Sequence, residues 1–170
     1  MMLGRRVFII TLFFGLCCST SLPAQDPRPG LLSIPEIKAV VPAVYFFRGQ
    51  SATVQVRNST GFRGQGGKLV LAGLVDNSGY ARDVAEKYQG FLISEVKLNI
   101  EGSDLPPGQY GFGFGEDGRF RVMDVGANDL FTVASKIDEN LRRPVPLKIT
   151  EDSGAYRLYA GRKWVGVKAE

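Results

Sequence analysis

Apolar residues recur at every second position along most of the chain after residue 38, which is the spacing of strands that bury one face. In TVQVR, residues 53–57, both valines fall on one face and the polar residues on the other. AVYFF and SATVQVRN are predicted to be two strands around a turn at residues 48–50. The runs VPLKIT, AYRLYAG and RKWVGV, separated by EDSG and AGR turns, predict a C-terminal meander.

Four other segments refine this all-β pattern. KLVLAGLV, residues 68–75, is apolar on both faces and predicts a central strand. FLISEVKLNI, residues 91–100, changes parity near Glu95, which predicts one strand with a bulge. STGFRGQGG, residues 59–67, is interpreted as a glycine-rich loop. Apolar residues four apart in SGYARDVAEKYQG predict a short helix within residues 79–89, with an irregular connection as the alternative.

GFGEDG, residues 113–118, has the glycine spacing of a dinucleotide-binding turn, but such a turn leads into a helix. The following RFRVMDV alternates as a strand does, so the segment is predicted to be a hairpin. A three-residue loop at 116–118 pairs Phe114 with Phe120 and Phe112 with Val122, which places every apolar residue on one side. This loop also places Gly118 where a left-handed backbone is required.

The opposite face of this hairpin carries the candidate ligand-binding residues. Gly111, Gly113 and Gly115 would form a glycine floor flanked by Arg119 and Arg121. Glycine in a strand often marks a close approach by a ligand or by another backbone segment. Two interpretations are therefore open: a shallow ligand platform with two arginines at its edge, or a floor that another part of the chain covers.

The N-terminus has the pattern of a secretory signal peptide over residues 1–24. Arg5 and Arg6 precede an apolar run over residues 7–18, and small residues lead to a preferred cleavage site after Ala24, with cleavage after Ser21 as the alternative. Export to the periplasm or the extracellular space is therefore expected. Lipid attachment at one of the two cysteines, or an uncleaved anchor, is less favoured.

The next segment, residues 25–38, holds three prolines and is predicted to be an extended arm leading into a β-domain over residues 39–170.

Composition restricts the chemistry further. The chain has no histidine, so it has no Ser-His or Cys-His nucleophile pair and no His-ligated metal. Both cysteines lie in the predicted signal, so the mature chain has neither a disulfide nor a thiol. The near balance between 21 basic and 17 acidic residues does not suggest nucleic acid binding. We expect no catalysis, no cofactor, no metal site, no nucleic acid partner and, after cleavage, no membrane span.

Three further motifs have an ordinary structural interpretation. GQGGKL, residues 64–69, lacks the first glycine and the Ser or Thr of a phosphate loop and is predicted to be a turn. DVGAND, residues 124–129, is predicted to be a turn capped by its side chains rather than a calcium site. Tyr156, Tyr159 and Trp164 are predicted to pack in the core, with stacking on a sugar or base as the alternative.

The segment IEGSDLPPGQYGFGF, residues 100–114, resembles a phrase found in secreted bacterial β-sandwich domains of unknown function: a polar turn, L-P-x-G-x-Y and an alternating strand. Leu105, Gly108 and Tyr110 match that phrase. The resemblance implies a sandwich and carries no activity or site residues.

Together, these patterns predict one antiparallel β-sandwich or partly open barrel of about 8–10 strands with one short inserted helix. The favoured function is a secreted or periplasmic, non-catalytic binding or accessory module for a protein or an envelope polymer. One alternative is a small β-barrel around an apolar small molecule, which would need a wide cavity lined by Tyr and Phe. Another is a hydrolase with two converging carboxylates.

Overall fold

The computed structural model describes residues 28–170. The predicted signal peptide, its cleavage site and both cysteines lie outside these residues, as does the start of the proline-rich arm.

The described residues form two antiparallel sheets. The larger sheet contains β1 (Gly30–Leu31), β2 (Val44–Phe47), β3 (Gln50–Arg63), β4 (Leu69–Val75), β5 (Gly90–Ser94), β8 (Gly108–Phe114), β9 (Arg119–Met123) and β10 (Asp129–Ala134). The smaller sheet contains β6 (Leu98–Ile100), β7 (Ser103–Leu105), β11 (Lys136–Ile137), β12 (Val145–Asp152), β13 (Ala155–Gly161) and β14 (Lys163–Ala169). The helices are α1 (Ile34–Val40) and α2 (Arg82–Ala85).

This architecture confirms the prediction of an all-β sandwich, since the two sheets of residues 28–170 are not closed into a barrel. The larger sheet has the order β1-β3-β4-β5-β8-β9-β10, with β2 paired to β3. The smaller has the order β12-β13-β14-β6-β7, with β11 paired to β14. The strands outnumber the expected 8–10 because several pair over only two or three residues.

The space between the two sheets is filled by one core. Aromatic and aliphatic side chains from both inner faces interdigitate there, as in other aligned sandwiches. Phe62 of β3 stacks on Tyr156 of β13 with ring centroids 3.6 Å apart, so this pair joins the two sheets directly. Phe112, Phe114 and Phe120 pack against one another in the same core.

A second core lies on the other face of the larger sheet, beneath a cover made by α1, β2 and the segment that contains α2. Its buried members are Ile37, Val41, Tyr45, Phe47, Ala52, Val54, Leu71, Val75, Tyr80, Val84, Tyr88, Phe91 and Met123. The molecule is thus three-layered. Because the larger sheet is buried on both faces, β4 is apolar on both of its faces. Its position between β3 and β5 confirms the prediction of a central strand.

The same packing does not favour the barrel alternative. Most of the Tyr and Phe residues that would line the wide cavity of such a barrel are instead buried in the two cores.

The prediction of an extended arm through residue 38 was wrong, because α1 begins at Ile34. Ser33 caps this helix, and its backbone N–H and hydroxyl both donate to a carboxylate oxygen of Glu36, at 2.9 and 2.7 Å. Pro35 lies in the first turn, where a missing N–H has no cost. The motif S-x-x-E was therefore a helix start signal rather than part of an irregular arm.

Two strand boundaries also differ from the prediction. Residues 59–63 continue β3, so only the end of the predicted glycine-rich loop is a turn. Residues 91–100 form β5 and β6, which belong to different sheets. The parity change near Glu95 therefore marks a crossing between sheets rather than a bulge, because Phe91 and Ile93 face the second core, whereas Leu98 and Ile100 face the core between the sheets.

The predicted short helix is present as α2, which covers four residues within the segment 79–89. Its Val84 is buried in the second core together with Tyr80 and Tyr88, so the spacing of four that predicted the helix also identified its buried side.

We expect Phe62→Ala to lower the free energy of unfolding by about 3–5 kcal/mol, because it removes a fully buried ring from the contact between the sheets. Phe46→Ala is the matched control, since this ring is 59% exposed and should change stability by less than about 0.5 kcal/mol. Urea unfolding of both variants tests this. If both variants lost the same free energy of unfolding, the assignment of Phe62 to the contact between the sheets would be contradicted.

A pH dependence follows from the cap of α1. Hydrogen bonds from Ser33 and Arg63 lower the pKa of Glu36 from 4.5 to about 2. A depressed folded-state pKa stabilises the fold above the unfolded pKa, and that stabilisation disappears as the pH falls toward 2. We expect Glu36→Gln to be less stable than the wild type at pH 7, with a difference that shrinks between pH 4.5 and 2. Thermal melts across this range measure it, and a constant difference would exclude the linkage.

Candidate functional site

The β8–β9 hairpin has the predicted register. Phe114 pairs with Phe120 and Phe112 with Val122. Gly118 has a φ of 75°, as the three-residue loop requires. The hairpin prediction is confirmed, and Phe112, Phe114, Phe120 and Val122 face the core between the sheets, whereas Met123 at the end of β9 lies in the second core.

On the opposite face, the first two glycines of the predicted floor are covered by the chain itself. A Cβ at Gly111 would overlap the ring of Phe47, and a Cβ at Gly113 would overlap the backbone carbonyl of Lys87. Gln89 holds this cover in place, because its side-chain amide donates to the carbonyl of Phe114 and accepts from the Phe114 N–H, at 3.0 and 2.9 Å. The structure therefore favours the covered-floor interpretation for Gly111 and Gly113.

The third glycine borders a surface cleft. Gly115 and Arg121 lie on the wall of a cleft of about 680 Å³ between the hairpin tip and the α2 segment. Arg119 is exposed and does not line that cleft, although its backbone N–H donates to Asp117 at 3.1 Å. The structure thus brings together only Gly115 and Arg121 of the five predicted site residues.

Charges of both signs line this cleft, and several are already paired with one another. Arg121 forms an ion pair with Asp117, and Arg82 pairs with Glu86 at 2.9 Å. Hydrogen bonding to Arg121 lowers the pKa of the Asp117 carboxyl. Asp117 is therefore stabilised as an anion, whereas a glycosidic general acid needs a raised pKa. The cleft offers a polar surface but no tuned acid at this position.

A different surface carries more distinctive chemistry: the solvent side of the smaller sheet. There the neighbouring side chains of Lys136, Lys148, Arg157, Tyr159 and Trp164 form what we term the cation–aromatic face. Tyr159 pairs with Trp164 across β13 and β14, and their ring centroids lie 6.1 Å apart. The Lys136 ammonium and the Arg157 guanidinium lie over the Trp164 ring, 4.7 and 4.5 Å from its centroid. Lys148 lies 4.7 Å from the centroid of Tyr159.

The cation–aromatic face borders a shallow cavity of about 390 Å³ that includes Trp164, Lys136 and Arg157. Glu101 shapes one side of it. Its carboxylate accepts hydrogen bonds from the Lys136 ammonium at 2.8 Å and from the backbone N–H of Gly166 at 2.6 Å. Arg157 also pairs with Asp152. These contacts hold the cations beside the indole.

Core packing was predicted for all three C-terminal aromatics, and only Tyr156 lies in the core between the sheets. Tyr159 is 4% exposed but points to the outer side, and Trp164 is half-buried there. The alternation of side chains along β13 and β14 indicates these outward positions. Leu158 and Val165 face inward, so the adjacent Tyr159 and Trp164 must face outward.

The remaining motifs form turns in the structure. GQGGKL contains a 3-10 turn at Gln65–Gly67. In DVGAND, the Asp124 carboxylate accepts from the N–H groups of Gly126 and Asn128 at 2.8 and 2.9 Å. Within residues 28–170, no cluster of three or more acidic side chains is arranged to hold a metal ion.

Comparison with protein-family models, with curated proteins and with solved structures found no match. In the described part of the chain, neither helix is long and apolar enough to cross a bilayer.

The covered glycine floor gives a direct prediction. We expect Gly113→Ala to destabilise the fold by about 1–3 kcal/mol, because its methyl group would displace the Lys87 backbone. Gly79→Ala is the matched control, since no atom of the described residues lies within 4 Å of a Cβ there. Thermal melting compares the two. A Gly113→Ala variant as stable as the control would show that the cover is not closely packed.

Proposed function

We propose that this chain is an exported, non-catalytic binding module that recognises an acidic polysaccharide through its cation–aromatic face. The observation that carries the proposal is the half-buried indole of Trp164 on the solvent side of the smaller sheet, with Lys136 and Arg157 over its ring. Trp and Arg are typical anchors of binding surfaces, because each combines a large contact area with a polar group.

The composition of this face favours a ligand with sugar rings and negative charges. The part of the half-buried indole that stays exposed can contact a sugar ring, and the guanidinium and ammonium groups over the indole can bind carboxylate or sulfate. Lys148 and Lys168 add two cations on the same side of the sheet, and neither forms an ion pair within the described residues.

The shape of the surface favours a polymer over a small molecule. The face lies on the outside of a sheet beside a shallow cavity, whereas small-molecule sites are usually concave and enclose most of the ligand. An extended chain can lie across such a surface and contact several side chains at once.

Two other features support a binding role and export. The sequence contains no histidine, and hydrogen bonding to Arg121 stabilises the ionised form of Asp117 in the large cleft. The N-terminal charge and hydrophobicity pattern is typical of a secretory signal, which would deliver the module to the compartment where such polymers occur.

Affinity measurements with polygalacturonate test the proposal. We expect Trp164→Ala to weaken binding by about ten- to a hundredfold, as for other aromatic anchors, and Trp164→Phe to weaken it less. Binding should also weaken with added salt, because the cations contribute.

Phe46→Ala, which removes an exposed ring elsewhere, is the matched control and should bind as the wild type does. Dextran serves as the neutral polymer. Unchanged affinity in Trp164→Ala, or equally tight binding of dextran, would overturn the proposal.

A further inference from the structure

A second surface lies where the two sheets separate, at the side of the sandwich formed by β3 and β12. There α1, β3 and β12 enclose a groove of about 350 Å³, which we term the seam groove. We propose that the seam groove binds one free, single-chain anionic amphiphile, with the acyl chain in the groove and a carboxylate or phosphate head at its rim.

The floor of the seam groove is apolar because both cores reach the surface there. Leu147 belongs to the core between the sheets, whereas Ile37 belongs to the core beneath α1. Leu32 and Val56 pack beside the second core and complete the floor. A volume of about 350 Å³ is near the lower limit of small-molecule pockets, which suits a single slender chain.

The polar groups on the floor are already engaged within the protein. The Thr60 hydroxyl accepts a hydrogen bond from the Ile149 N–H at 3.1 Å, and the Ser59 hydroxyl donates to the Gln55 carbonyl at 3.1 Å. A ligand in the groove would therefore meet mainly hydrocarbon along the floor. Its polar end has to be held at the rim.

The rim carries positive charge without a balancing acid. Lys38 and Arg57 line it together with Lys148, and no carboxylate of residues 28–170 lines the groove. In the described part of the chain, none of these three cations forms an ion pair. Glu36, the acid on the same helix, is engaged with Ser33 and Arg63.

Charge complementarity therefore selects an anionic head. The argument depends on Lys38 and Arg57, since the Lys148 ammonium lies over Tyr159.

Ile34 adds apolar surface at the edge of the groove. It lines the groove from the first turn of α1 and is 73% exposed. An amphiphile that leaves the groove beside α1 would cover this side chain and remove its apolar surface from water.

Isothermal titration of the protein with dodecanoate, dodecyl phosphate, dodecanol and dodecyltrimethylammonium, each below its micellar concentration, tests the site. We expect the two anionic probes to bind at a ratio of one to one and at least about tenfold more tightly than dodecanol. Equal affinity for dodecanol, or tighter binding of the cationic probe, would overturn the proposal.

The double variant Lys38→Gln/Arg57→Gln should weaken dodecanoate binding about three- to tenfold, since exposed ion pairs are individually weak. The double variant Arg142→Gln/Arg143→Gln removes the same charge from an exposed loop and should leave the affinity unchanged. If both double variants lost the same affinity for dodecanoate, only the overall charge would matter, and the assignment of the site to the seam groove would be overturned.

Val56→Phe, which fills the groove, should abolish dodecanoate binding while a thermal melt confirms that the variant is folded. Retained affinity in a folded Val56→Phe protein would place the acyl chain elsewhere and overturn the site.

Two further measurements separate the seam groove from the cation–aromatic face and from a membrane surface. Trp164→Ala should bind dodecanoate as the wild type does, so a failure of the polysaccharide proposal is distinguishable from a failure here. The protein should not cosediment with vesicles of phosphatidylcholine and phosphatidylglycerol. Cosedimentation that Ile34→Asp abolishes, without dodecanoate binding, would replace the amphiphile by a membrane surface.

Discussion

The constraint on which this molecule depends is that the larger sheet is buried on both faces. On the face beneath the cover, the direct pairing of Gly73, Phe91 and Gly111 on adjacent strands places one aromatic ring between two glycines. The absent side chains let the rings of Phe91 and Phe47 lie against the sheet. Phe47 in turn stacks on Tyr88, with ring centroids 3.8 Å apart, which joins β2 to the α2 segment.

This cover decides which surfaces remain for binding. The cover packs directly on Gly111 and Gly113 of the β8–β9 hairpin, which leaves no space for a ligand at these two glycines. Trp164 stays partly exposed on the outer side of the smaller sheet, and the seam groove opens beside α1, β3 and β12. The two proposed sites therefore lie on different layers, with Lys148 alone contributing to both.

Much of the fold follows from the local spacing of apolar residues along the sequence. The loop of the β8–β9 hairpin was predictable because only one register puts Phe112, Phe114 and Phe120 on one side. The central position of β4 followed from its two apolar faces. Alternation could not show that residues 91–100 serve two sheets, because Phe91 and Ile93 face a second core that spacing alone does not reveal. Likewise, prolines start helices as well as end them, and α1 was missed for that reason.

The sequence by itself determined the strand periodicity, the hairpin register and the absence of imidazole chemistry. These properties depend on neighbours in the chain, and local spacing is enough to read them. Only the tertiary structure decided that Gly111 and Gly113 are covered, that Lys136 and Arg157 meet over one indole, and that α1 and β12 enclose a groove. Those contacts join residues far apart in the chain, and no periodicity records which distant segments will meet.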